Sequence, residues 1–202
     1  MPYKPDDHFA KKARSESYLA RSVYKLKEIQ DKHQLLRKGN HILDLGASPG
    51  SWSQFASEVI GPKGQLLGID LTEIHLCLDN AHFMVGDLNA PDWQDHLRTT
   101  PVPPPYDVVL SDMAPKTTGV KSADQARSVQ LCEQALWLAE QVLRTGGHFV
   151  CKMFDNGEAP AFRQELRTKF KAAHVMRPKS TRQVSTEIFF VALGLLAPES
   201  DE

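Results

Sequence analysis

The sequence predicts an α/β fold built on a mostly parallel sheet. Three observations carry this reading. Short apolar runs of strand type alternate with helical stretches along most of the chain. A glycine-rich turn at residues 46–50 follows the first of these runs directly. Acidic residues fall at the ends of the runs, where open parallel sheets bind their ligands. The length of 202 residues suits one domain, and 41% hydrophobic with 24% charged residues is ordinary for a chain with a real core. That composition excludes a disordered or fibrous chain.

Each element has its own signal. Residues 1–14 are polar and basic and read as a loose segment. From residue 15 to about 33, Tyr18, Val23, Leu26 and Ile29 recur at roughly helical spacing, and Gly39 follows as a stop. Residues 41–45 form a buried-type strand that runs into Gly46-Ala47-Ser48-Pro49-Gly50. A helix over 51–60 ends at Gly61-Pro62, and a second strand covers 65–70. Residues 82–85 read as a short third strand, and 91–98 as a helix with Pro91 in its first turn. The proline-rich stretch 101–105 is a stiff connection into a fourth strand at 106–111. A long amphipathic helix over 122–143 is stopped by Gly146-Gly147, and a fifth strand covers 148–153. A helix at 158–170 and strands at 173–176 and 187–193 bring the count of strands to seven, and an acidic tail covers 196–202.

Cys77, Cys132 and Cys151 are far apart and show no metal-ligand spacing. A zinc site or disulfide framework is not expected, and no cluster calls for a metal. No apolar run reaches the roughly 18 residues of a membrane span, and no signal peptide is visible. The expectation is a cytoplasmic monomer without a membrane partner.

The turn between strand and helix brings Gly46 and Gly50 beside free helix N–H groups, which suits close approach of a ligand. It lacks the G-x-G-x-x-G of a dinucleotide site and the Gly-Lys-Ser/Thr of a nucleotide P-loop, which disfavours an NAD-linked oxidoreductase. Asp70 ends the second strand, where an acid can take both ribose hydroxyls. Asp87 follows the third strand and suits an adenine amine, and Asp44 on the first strand suits a cationic amino group. Three acids with no clustered base fit a ligand with an adenosine and an ammonium but no phosphate. S-adenosylmethionine is such a ligand. Any one of these acids alone is as readily a helix cap as a ligand contact; their order and spacing favour the cofactor.

A second set of residues lies at the other strand ends. Asp112 directly follows the fourth strand, and Lys152 sits inside the apolar fifth strand, where an unpaired ammonium is costly. Glu187 opens the last strand, and Lys25 lies on the N-terminal helix. From about residue 8 to 195 the chain strongly resembles the FtsJ/RrmJ family of ribose 2′-O-methyltransferases. The resemblance rests on Ala20-Arg21-Ser22-Val23-Tyr24-Lys25-Leu26, the 43–50 turn, Ser111-Asp112-Met113-Ala114-Pro115 and Ser185-Thr186-Glu187. It implies a Rossmann-like, SAM-dependent methyltransferase domain over 15–195, with 15–39 on the substrate side. It also implies a Lys-Asp-Lys-Glu catalytic tetrad at Lys25, Asp112, Lys152 and Glu187. Gly50 and Trp52 match the family's cofactor loop, Asp70 its ribose contact, Asp87 its adenine contact, and Asp112 lies next to the reactive methyl. Two departures stand out: Ser51 replaces the usual second glycine, and Lys116-Thr117-Thr118-Gly119 replaces an Asn-containing loop.

The chemistry agrees with the resemblance. A ribose 2′-hydroxyl is a poor nucleophile and needs deprotonation or strong orientation. A lysine serves as base where burial and a second cation lower its pKa from about 10.4 towards neutrality. Lys152 is the candidate base, or an orienting cation held charged by Asp112 and Glu187. Lys25 supplies positive charge and places the hydroxyl.

The net charge of −1 hides a segregation. Residues 1–39 carry ten Lys/Arg against five acids, and 144–182 carry nine against three. Residues 40–143 carry five against thirteen. The basic segments hold Lys25 and Lys152 and suit a phosphate backbone, so RNA is the expected partner. Within the family the compact chain points to a uridine of bacterial large-subunit ribosomal RNA. The alternatives are methylation of tRNA riboses and a non-catalytic SAM-binding assembly factor for RNA or ribosomes.

Overall fold

A computed structural model describes residues 8–88, 90 and 93–198. Seven strands form one sheet in the order β3-β2-β1-β4-β5-β7-β6. They are β1 (His41–Leu45), β2 (Gln65–Asp70), β3 (Ala81–Val85), β4 (Tyr106–Ser111), β5 (Leu143–Phe154), β6 (Phe170–Met176) and β7 (Glu187–Leu195). The first five pair in parallel, and β7 lies antiparallel between β5 and β6. Because β1 sits between β2 and β4, the strand order switches direction there, and a crevice opens at the carboxyl ends of β1 and β4.

Side-chain alternation sorts the strands onto two cores. Ile42, Val108, Leu110, Val150, Phe189 and Val191 pack under α2 (Val23–His33) and α3 (Ser51–Ile60). Leu43, Val109, Phe149, Cys151 and Phe190 pack under α4 (Trp93–Thr99), α5 (Lys121–Val142) and α6 (Ala159–Lys169). By the same parity, Asp44, Lys152 and Glu187 share the α2 and α3 side of the sheet. This decides which helix meets the polar residues.

Several expectations need correction. The segment read as loose to residue 14 is helical from His8 to Ser15 (α1), because Phe9 and Ala13 pack against Tyr18, Val23 and Tyr24. Residues 1–7 lie outside the described residues. The helix expected over 15–33 is broken: Ser17 has a positive φ, and α2 begins only at Val23. The break lets the Tyr18 hydroxyl donate to Glu58 on α3 at 2.6 Å. Strand β5 starts at Leu143, because Leu143 pairs with Tyr106 ahead of a shift in register, which falls where Gly146 adopts a φ of +82°. A Cβ at Gly147 would lie 2.9 Å from the Arg144 carbonyl, so glycine is required there. Strand β6 likewise begins three residues earlier than its apolar pattern suggests, through the buried Phe170. Pro91, read in the first turn of α4, and the end of the acidic tail from residue 199 lie outside the described residues.

Candidate active site

The crevice holds a cavity of about 320 Å³. Gly46 and Ser48 come from the turn after β1, Asp70 and Leu71 from the end of β2, and Gly86, Asp87 and Leu88 from the end of β3. Asp112, Met113 and Ala114 follow β4, and Leu131 and Gln134 reach in from α5. Gly46 has a φ of +70°, and a Cβ there would meet Met113 at 2.7 Å. Only glycine lets the turn and Met113 close on each other. Asp70 is built into the turn: it accepts from the Ser48 amide at 3.0 Å and the Thr72 amide at 2.9 Å. The lining carries three acids and no lysine or arginine.

Asp44 lies behind this lining and is fully buried. One carboxylate oxygen accepts from Ser53 on α3 at 2.6 Å, and the other has no partner. Burial, with the nearby charges of Asp112 and Asp70, pushes its carboxyl up to about 7 against the Ser53 hydrogen bond. An orphaned buried acid beside an acid-lined cavity fits a cationic ligand. The apolar Ile69, Leu71, Leu88 and Leu131 line the same cavity and would offer apolar contact to an adenosine. The residues present therefore fit S-adenosylmethionine. Among the described residues, no group of His, Cys, Asp or Glu is placed to hold a metal ion.

The four residues expected as a tetrad form two ion pairs. Lys152 Nζ lies 2.9 Å from Asp112 Oδ1 and donates a better-directed bond to the Asp112 carbonyl at 2.6 Å. The β4–β5 register brings them together, pairing Ser111 with Cys151 one residue earlier on each strand. Lys25 donates to Glu187 at 2.6 Å, from α2 to the start of β7. Burial tends to raise the Glu187 carboxyl, but Lys25 and then Lys152 outweigh it and hold it below the usual carboxylate range. Lys152 thus acts on both pairs. Asp112 belongs to the cavity lining as well, so it joins the two regions. A second cavity, about 330 Å³, opens beside Lys25 and Glu187 between Arg21 and Arg182.

Two expected cofactor residues sit differently. The Trp52 ring is buried against Phe189, and its indole N–H donates to the Ser22 carbonyl at 2.9 Å. From the first turn of α3 it anchors the segment before α2. Gly50 is the N-cap of α3 with φ +112°, and a Cβ there would meet Leu76 at 2.7 Å. Neither residue lines the cavity. Ser51, the departure from the family pattern, shares a 2.7 Å hydrogen bond with Ser22 and so ties α3 to the start of α2. In the other departure, Asp124 accepts from the Thr118 amide and hydroxyl and from Gly119, fixing the loop after Asp112. Sequence reading missed Ser53, whose only signal is its contact with Asp44. It also missed Leu131 and Gln134, which carry no motif beyond helical spacing.

The fold and this crevice define the class, a Rossmann-like methyltransferase. A ribosomal RNA methyltransferase from Plasmodium falciparum superposes with a TM-score of 0.76 at 29% identity, covering 90% of this chain and all of that one. Human methyltransferase-like protein 13, solved with SAH, shares the fold with a TM-score of 0.56 at 19% identity, covering 88% of this chain and 81% of that one. The chain belongs to the FtsJ-like methyltransferase family, whose model matches residues 18–195. Relatives include ribosomal RNA large subunit methyltransferase E of Bdellovibrio bacteriovorus, 47% identical over 96% of this chain and 99% of that protein. The protein of the same name from Syntrophobacter fumaroxidans is 44% identical over 96% and 98%.

Proposed function

We propose that this protein transfers a methyl group from S-adenosylmethionine to a ribose 2′-hydroxyl of RNA, the target being a uridine of bacterial large-subunit ribosomal RNA. One observation carries the reading: Asp112 lines the acidic cavity and also pairs with Lys152, so a cofactor site and a lysine–carboxylate centre meet at one residue. The relatives named as large-subunit ribosomal RNA methyltransferases support the choice of RNA over other hydroxyl substrates. The proposed cofactor set is Asp44, Gly46, Asp70, Asp87 and Asp112, with the backbone at Gly50 and Trp52. The methyltransferase domain covers residues 15–195, with 15–39, extended by α1, on the substrate side. The protein acts as a cytoplasmic monomer. Among the described residues, no helix is long and apolar enough to cross a membrane.

Bound S-adenosylmethionine supplies a methyl group made electrophilic by a cationic sulfonium. The protein's part is to hold the hydroxyl in line and manage its proton. Lys152 is held by two oxygens of Asp112 and is 5% exposed, so its ammonium has little rotational freedom. Lys25 and Glu187 form a donor–acceptor pair at the edge of the second cavity, placed to orient a hydroxyl entering from there. Positive charge on Lys152 and Lys25 stabilises the oxygen as it attacks the methyl carbon, and the hydroxyl proton is released to solvent as the new O–C bond forms.

The test is a methylation assay on large subunits, free ribosomal RNA and tRNA, with 2′-O-methyl mapping in cells with and without the protein. A single ribosomal position should lose its methyl in the deletion strain. Methylation of tRNA alone would overturn the substrate. Lys152→Ala should lower turnover by about 10²–10⁴-fold while SAM affinity changes little; unchanged turnover would refute its role.

A further inference from the structure

The stretch 177–186 between β6 and β7 has no regular secondary structure and ends at Glu187. It is nevertheless seated, with Ser180 only 1% exposed. The seat is made by side chains from one face of the N-terminal element. Glu28 on α2 accepts from the Lys179 amide at 2.7 Å with one oxygen and from the Ser180 amide at 2.8 Å with the other. Arg21 donates to the carbonyl of the same residue, Ser180. Lys25 reaches Glu187 at the far end of the stretch. Lys25 and Glu28 are three residues apart on α2, which aligns them on one side of the helix, and Arg21 reaches Ser180 from the turn just before it.

We propose that Glu28 is a positioning residue for methyl transfer, acting through the Lys25–Glu187 pair. Its carboxylate holds two consecutive N–H groups of the connection, and Arg21 holds the carbonyl of the second residue. Together they clamp the Ser180 residue to α2 in one orientation. Seven residues later the chain delivers Glu187 to Lys25, so the clamp sets the register of α2 against β7. Charge-assisted hydrogen bonds to backbone N–H groups are strong and directional, which suits this task. The connection also carries Arg182 and Val184 at the mouth of the second cavity, so the clamp fixes the shape of the hydroxyl's entry as well. Glu28 itself belongs to the lining of neither that cavity nor the cofactor cavity.

The role rests on the tetrad assignment above, and the experiment separates the two. Glu28→Ala, Glu28→Gln, Lys25→Ala and the double variant Glu28→Ala/Lys25→Ala are assayed on large-subunit RNA well below their melting temperatures. Glu28→Ala should lower kcat by about ten- to a hundred-fold, the scale of a misplacement near 1 Å, with the KM for S-adenosylmethionine within two-fold of the parent. Glu28→Gln keeps one acceptor oxygen and should fall between. Added to Lys25→Ala, the Glu28→Ala change should cost less than about two-fold, because the pair it positions is gone. Fully additive losses, or a Glu28→Ala variant with parental kcat, overturn the proposal while leaving the tetrad intact. Parental turnover by Lys25→Ala instead overturns the tetrad assignment and the positioning role with it.

Discussion

Replacing Asp44 with Asn isolates the energetic consequence of an acid buried for a ligand. In the folded chain the Asp44 carboxyl sits at about 7, against 3.8 when exposed. Below 3.8 it is protonated in both folded and unfolded chains and costs nothing. As pH rises to about 7 the unfolded chain ionises and the folded chain resists, so stability falls across that window. Above it, the native state bears the whole cost of a buried charge. The gap corresponds to on the order of 4 kcal/mol. The substituted amide cannot ionise, yet its carbonyl oxygen can still accept from the Ser53 hydroxyl that now bonds Asp44 at 2.6 Å. The variant's stability relative to the parent should therefore rise by about 4 kcal/mol between about pH 4 and pH 8. Urea unfolding of the ligand-free proteins at several pH values measures this directly, and the other titrating groups largely cancel between the two chains. The same substitution should weaken S-adenosylmethionine binding at least about ten-fold, the scale of losing one charged partner. Calorimetry in buffers of different ionisation enthalpy should show proton release on binding near neutral pH in the parent alone. A stability difference that stays constant across the same pH range would refute the reasoning.

Three further outcomes are expected. Gly46→Ala forces a side chain into a φ of +70° and against Met113; it should lose at least about 1–2 kcal/mol of stability and weaken cofactor binding, and a variant matching the parent in both would show the turn to be slack. Trp52→Phe removes the bond to the Ser22 carbonyl but keeps an aromatic ring near Phe189. Thermal unfolding should report a loss of about 1 kcal/mol with cofactor affinity preserved; a ten-fold loss of affinity would instead make the ring a ligand contact. Binding of a single-stranded ribosomal RNA fragment should weaken steeply with salt, by a slope of about −0.7 per neutralised phosphate. Salt-insensitive RNA affinity would remove the basic segments from the interface.

Periodicity and turn residues are local properties, and the elements that depend on them were legible. β1, α3, β2 and β4 have the boundaries that their apolar runs and glycine stops indicate. The acids at the cavity were legible for the same reason, since Asp70, Asp87 and Asp112 each end or closely follow a strand. Element edges were less so wherever packing overrides local preference, as at α1, which is stabilised by the packing of Phe9 and Ala13 on Tyr18, Val23 and Tyr24 rather than by local propensity. Trp52 illustrates the same limit within a side chain: its motif position says cofactor loop, but the direction of its ring follows from the fit of α3 against the segment before α2.

The sequence by itself therefore determined the fold class, the strand ends that carry the acids, and the four residues proposed to carry the chemistry. Tertiary structure alone decided how those four pair. Lys25 meets Glu187 across 162 residues, and Glu28 meets the Ser180 amide across 152. No local pattern encodes contacts at such separations. They follow from the antiparallel pairing of β7 with β5, whose register puts Glu187 on the same face of the sheet as Lys152, the one covered by α2.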